Sequence, residues 1–248
     1  QQGVFQSVES KLLKQRIPET LRHPDGLWFA LTKRARVIFV SKDRVKPDTV
    51  TSYEDLAKPE WKGKVLIRSS SNVYNQSLVG SIIHTHGLEQ AEAWCAAVVA
   101  NMARTPQGGD RDQIKAVAAG EGDIAVGNSY YYARMIKGTD EERAAAAKVQ
   151  IIFPNQDDRG AHVNICGAGV VKTAPNKANA IKFIEFLTSK QSQESFAAGN
   201  NEYPVVKGVQ SVPTLQTFGE FKADVLNPAV FGKNTLNAVR IMDKAGWR

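Results

Sequence analysis

Short apolar runs alternate along the whole chain with longer stretches in which apolar residues return every three or four positions. The runs at residues 28–31, 35–40, 64–67, 123–126 and 150–153 are bounded by polar or turn residues and predict strands. A longer apolar stretch with glycines, 161–171, predicts another. Residues 89–102 place Ala93, Cys95, Ala96, Val99 and Met102 at a spacing of about 3.6 and predict an amphipathic helix. Residues 176–189 do the same with Ala180, Ile181, Ile184 and Leu187. Further helices are predicted from Tyr74 to His84, from Asp110 or Asp112 through Ala118, and over 133–137, 141–148, 191–198, 220–223 and 235–245. Residues 12–21 read as mixed loop and short helix, and 1–10 as the end of an earlier element. This alternation predicts an α/β fold with mostly parallel sheets. No low-complexity linker is present, so two lobes require the chain to cross between them.

Helix starts are marked by polar residues. Ser52 is a good N-cap with Asp55 at the third helical position, close to a capping box. Ser71 or Asn72 caps the helix through Tyr74. The preceding run Arg68-Ser69-Ser70-Ser71-Asn72 combines helix-start amides with hydroxyls. That is a ready anion cradle, or plain capping.

Half of the six tyrosines are consecutive, Tyr130, Tyr131 and Tyr132, where an apolar strand meets a helix capped by Asn128 or Ser129. Ligands of α/β proteins collect at such junctions. Adjacent helical residues point about 100° apart, so three in a row cannot all face one core. The phenols supply oxygen ligands for a hard metal, a stacking surface for an organic ligand, or packing.

Composition narrows the field. No apolar run approaches the length of a membrane span. No signal peptide is visible, which a mature exported chain also lacks. The net charge is +7, yet only Lys33-Arg34-Ala35-Arg36 is a dense cluster, so nucleic acid is not the expected partner. Cys95 and Cys166 lie far apart with no zinc spacing. His23, His84, His86 and His162 are scattered, and no nucleophile elbow, zinc-protease or P-loop motif occurs. An enzyme is therefore not expected.

Several segments together resemble one family over essentially the whole chain. They are Thr32-Lys33-Arg34-Ala35-Arg36-Val37, the run from Tyr53-Glu54-Asp55-Leu56 to Trp61-Lys62-Gly63, and Arg68-Ser69-Ser70-Ser71-Asn72-Val73-Tyr74-Asn75. Asn128-Ser129-Tyr130-Tyr131, Phe153-Pro154-Asn155-Gln156, Gly160-Ala161-His162-Val163-Asn164 and Asn200-Asn201-Glu202-Tyr203-Pro204-Val205 complete the set. The chain is similar to the periplasmic ferric-iron-binding proteins of bacterial iron ABC transporters, especially their cyanobacterial-type branch. The Tyr-Glu-Asp-Leu segment alone is common among solute-binding proteins; the ordered combination is specific.

The resemblance implies a two-lobe α/β solute-binding-protein fold of type II that closes as a hinged clamp on Fe³⁺ between its lobes. It implies residues 1–32 and 160–205 in a first lobe and 33–159 and 206–248 in a second. The first lobe is expected to be incomplete, because the strand–helix units and ligand segment with which the family starts are absent here. Carried over residue by residue, Tyr74, Tyr130 and Tyr131 are phenolate ligands. Tyr132 is support or packing, and Ser69 belongs to the surrounding shell. Arg34, with Arg36 as second choice, approaches the metal or a bound anion. The resemblance also implies a monomer, a membrane permease as partner, an anion or water completing the sphere, and no disulfide between Cys95 and Cys166. The chemistry agrees: Fe³⁺ is hard and favours oxygen donors, and a strongly charged metal deprotonates a phenol whose ordinary pKa is about 10. A solute-binding protein of the same fold for an organic or phosphorylated ligand is the alternative, and a catalytic α/β domain a third reading.

Overall fold

The computed structural model, which describes residues 3–248, divides the chain into two units that share it by repeated crossing. In chain order the elements begin with β1 (Phe5–Gln6), α1 (Lys11–Arg16), β2 (Phe29–Ser41) and β3 (Val65–Leu66). Next come α2 (Val73–His86), α3 (Leu88–Ala100), α4 (Asp110–Ala119), β4 (Ile124–Asn128), α5 (Ser129–Ile136), α6 (Asp140–Ala147) and β5 (Val149–Ile152). The remainder are β6 (Val163–Ala168), β7 (Val170–Val171), α7 (Lys177–Leu187), α8 (Lys190–Asn200), β8 (Tyr203–Pro204), α9 (Pro213–Gln216), α10 (Pro228–Lys233) and α11 (Thr235–Lys244).

The first unit holds the described residues up to Arg34 together with Asn164–Gly219 and Asn227–Ala229. Its core gathers Val8, Leu13, Ile17, Phe29, Ile184 and Val205. β1 pairs antiparallel with β7, and β8 pairs antiparallel with the first residues of β2. Residues 206–219, expected in the second lobe, belong to this unit. The physical reason is continuity: Val205 lies in its core, Val206 packs against that core, and both follow directly on the β8 ladder.

The second unit holds Ala35–Val163, Glu220–Leu226 and Val230–Arg248. Its sheet runs β3-β4-β2-β5. A large core covers the sheet, with Tyr53, Trp61, Leu78, Trp94, Ile241 and Trp247 among its members. Two of these three indoles have their polar ends satisfied internally, and Trp61 Nε1 has no hydrogen-bond partner. Trp94 Nε1 donates to the Tyr53 carbonyl and Trp247 Nε1 to the Arg68 carbonyl, each at 2.9 Å.

Further expectations change, among them the single strand expected over 161–171, which is divided into β6 and β7. β2 is one strand of 13 residues rather than two, because the polar residues at its middle have partners: Lys33 is in register with Tyr203, and Arg34 pairs with Glu202. The sheet is mostly antiparallel: β4 and β5 both run against β2, and only β3 and β4 are parallel. Strand–helix alternation dictates parallel pairing only where consecutive strands lie side by side. Here β2 lies between β4 and β5 and opposes both. Residues 220–223 form no helix. Their backbone is spent on an extended bridge between Ala223 and Ala161, with Ala161 N–H donating to the Lys222 carbonyl at 2.9 Å.

α2 approaches α10 closely at Gly80, where a Cβ would lie 2.7 Å from the Phe231 carbonyl oxygen. Gly80→Ala is therefore expected to destabilise the protein by about 1–3 kcal/mol. Gly199→Ala, which meets open space on α8, should stabilise it by roughly 0.5 kcal/mol. Chemical denaturation midpoints of the two variants check both signs.

Candidate metal site

β4 is buried along its whole length and runs without a loop into α5. The helical turn then sends the three tyrosines different ways. Tyr132 turns inward: its ring is 5.3 Å from that of Phe39, and its hydroxyl faces the carbonyls of Ala146 and Val149 at 3.0 and 3.1 Å. Tyr130 and Tyr131 stay together, with ring centroids 4.1 Å apart. Tyr130 is buried and Tyr131 half-buried.

Tyr74 comes from another element. Asn72 caps α2 by accepting from the Tyr74 amide at 3.1 Å, which fixes this tyrosine in the first turn. The Tyr130 phenol makes side-chain hydrogen bonds with both Tyr131 and Tyr74. Burial, these hydrogen bonds and the charges of the two neighbours all push the Tyr130 hydroxyl well above the usual phenol range. The structure thus brings Tyr74, Tyr130 and Tyr131 together.

Beneath them lies a buried polar network. Arg36, on β2, is in register with Asn128 across the β2–β4 ladder. Its guanidinium donates to Asp110 Oδ2 at 2.8 Å, Asn75 Oδ1 at 2.6 Å and Asn128 Oδ1 at 3.3 Å. Its Cζ lies 6.0 Å from the Tyr74 ring centroid. Asp110 opens α4, where the helix dipole favours a carboxylate, and it also accepts from the Asn128 amide at 2.7 Å. Arg68 Nη1 reaches the other Asp110 oxygen at 3.4 Å. Asn75 is fully buried and donates to the carbonyls of Arg68 and Ser69 at 2.8 and 3.1 Å.

The two arginine candidates separate. Arg36, the second choice, stands beside the tyrosines. Arg34, the first choice, belongs to the other unit, where its Nη1 is 3.1 Å from a Glu202 oxygen. Ser69 closes the loop before α2, its hydroxyl 2.9 Å from that of Ser71 and accepting from the Ser71 amide at 3.2 Å. Sequence reasoning missed Arg134, whose Cζ lies 5.1 Å from the Tyr130 ring centroid. The signal for it was the i,i+4 spacing from Tyr130 on a helix. It also read Asp110 only as a helix-start charge and gave Asn75 no role. Their partner Arg36 comes from a distant segment of the chain, so nothing local reported them.

Among the described residues, no group of three or more His, Cys, Asp or Glu is placed to hold a metal ion. Cys95 in α3 and Cys166 in β6 are free thiols. No helix among the described residues is long and apolar enough to cross a membrane. A second polar cluster in the same unit, around Glu54, receives hydrogen bonds from Asn155, His86 and Arg159. His162 is buried against Phe231, with its Nε2 3.1 Å from the Ser77 hydroxyl.

The bacterial extracellular solute-binding protein family matches over residues 1–223, and the chain belongs to that family. Among curated relatives, iron uptake protein A2 of Synechocystis sp. is 50% identical over 251 residues, covering 100% of this chain and 72% of the relative. Among solved structures, the Trichodesmium protein IdiA (FutA) in complex with iron and citrate ligands is 53% identical. Its TM-score is 0.97, over 99% of this chain and 78% of that one. Apo FutA2 from Synechocystis PCC6803 is 50% identical with a TM-score of 0.97, over 99% and 79% of the two chains. The fold is that of two-lobe periplasmic binding proteins, as the resemblance implied.

Asp110→Ala leaves the Arg36 guanidinium buried without its counter-charge and is expected to cost roughly 3–5 kcal/mol in denaturant unfolding. Acid is expected to destabilise the fold in two overlapping steps. Burial, with the Arg36 and Arg159 charges nearby, lowers His162 from 6.5 to about 3. The unfolded chain therefore takes up a proton first, and stability falls as pH drops from 6.5 toward 3. Burial opposes ionisation of Glu54, but hydrogen bonds from Asn155, His86 and Arg159 and the Arg159 charge outweigh it, lowering the group from 4.5 to about 2. Its contribution is complete above 4.5 and is lost as pH falls toward 2. Thermal unfolding measured against pH should show both slopes, and Glu54→Gln should flatten the lower one.

Proposed function

We propose that the protein is the periplasmic binding component of a bacterial iron ABC transporter, taking up ferric iron through tyrosine phenolates and delivering it to a membrane permease. The observation that carries this reading is the meeting of three phenols from two separate elements, Tyr74 on α2 with Tyr130 and Tyr131 on α5. Half-identical relatives that are named for iron uptake, or were solved with iron, support it. Hard, highly charged Fe³⁺ matches phenolate oxygen, and three phenolates balance its charge. Arg134 over Tyr130 favours the ionised phenol.

In this reading Tyr74, Tyr130 and Tyr131 are ligands, and Tyr132 supports α5 from behind. Ser69 and Arg36 border the ligands. Arg34 keeps its proposed contact with an anion through the family resemblance alone. The protein acts as a carrier rather than an enzyme, as a monomer, and without nucleic acid.

Titrating iron-free protein with a ferric chelate should produce a visible phenolate-to-iron charge-transfer band. Tyr131→Phe and Tyr74→Phe should each weaken binding by at least about tenfold, the loss that even outer-shell substitutions cause at metal sites. Affinity should fall with falling pH as protons compete for the phenolates. A protein that takes up no iron and shows no band, or a Tyr131→Phe variant that binds as well as the parent, overturns the reading. Elemental analysis finding an organic ligand without metal favours the same fold serving a different solute.

A further inference from the structure

The proposed ligands stand on different elements, yet one side chain holds the immediate surroundings of both. Arg36 Nη2 donates to Asn75, the residue after Tyr74, and Nη1 donates to Asn128, two residues before Tyr130. Resting on the ferric reading above, we propose that Arg36 is the positioning residue of the tyrosine site. Its guanidinium, anchored by Asp110, ties the start of α2 to the start of α5 and so sets how far Tyr74 stands from Tyr130.

Four observations carry this. First, a guanidinium is a rigid planar fork, so acceptors on its two terminal nitrogens are held at a fixed angle to each other. Second, the Asn75 carboxamide is used at both ends. Its nitrogen donates to the Arg68 and Ser69 carbonyls and its oxygen faces Arg36, so α2 cannot turn without breaking one set. Third, Asn128 sits at the N-cap of α5 but makes no side-chain capping bond, although that is the common use of an asparagine there. Its oxygen faces Arg36 instead. Fourth, the Arg36 side chain is 1% exposed and both terminal nitrogens are engaged. Only Nε lacks a partner. A residue so enclosed is built to hold its neighbours in place and has no free end to offer an incoming anion.

Arg36→Lys tests the proposal, since lysine keeps the charge for Asp110 but is a single point that cannot span three acceptors. Ferric affinity is expected to fall about 10–100-fold in the parent. In a Tyr74→Phe background the same substitution should change affinity by no more than about twofold, because the ligand it positions is already gone. Equal losses in both backgrounds overturn the proposal, since a general weakening of the fold does not depend on Tyr74. Asn128→Ala severs the tie to α5 while leaving the ion pair intact, and serves if the lysine variant fails to fold; the same coupling to Tyr74 is expected. A crystal structure of the iron-free variant gives a metal-independent answer. Loss of the Tyr74–Tyr130 hydrogen bond supports the tie, and an unchanged triad overturns it. Should the parent form no ferric complex, the ferric reading fails while this structural comparison still decides the tie.

Discussion

A guanidinium taken out of water must be answered within the protein, because an uncompensated buried charge is among the costliest features a fold can carry. Arg36 is in that position. The answer comes from Asp110, itself without exposure, and from the amides of Asn75 and Asn128. These groups belong to β2, α4, α2 and β4. The network is complete only when all four elements are in place, and two of them lead directly to the tyrosines. Satisfying one charge and presenting the phenols are thus the same structural event.

The charge balance of the site follows from this arrangement. Arg36 and Asp110 cancel each other below the tyrosines, with Arg68 adding a longer contact to the same carboxylate. Arg134 is left as the positive group over the Tyr130 face. Burial and its two phenol neighbours hold the Tyr130 hydroxyl in its protonated form.

Much of this was legible in the sequence where the signal was local. Helix geometry showed that the three tyrosines cannot all face one core, the resemblance set Tyr132 apart, and Tyr132 does face the interior while Tyr130 and Tyr131 remain together. Asn72 does cap α2. Strand direction was not legible, because alternation of strands and helices carries no information about β2 lying between β4 and β5. Nor was the choice between Arg34 and Arg36. Two residues apart on a strand, they share a face, so alternation cannot separate them. What separates them is which distant carboxylate each one meets, Glu202 or Asp110. The helix expected at 220–223 failed for a similar reason: its backbone is claimed by Ala161, some sixty residues earlier in the chain.

The cross-strand register of β2 bears on how such a chain can change over generations. Arg36 stands opposite Asn128, and the next four positions are paired in step down to Val40 and Ile124. Side chains on a strand alternate, so one residue inserted or deleted within this ladder turns Arg36 to the opposite face and brings an apolar neighbour before Asp110. Individual residues along the strand can be exchanged without that penalty. Lineages of this protein should therefore vary β2 in composition while keeping its length, with gains and losses of residues confined to loops that carry no part of the ladder.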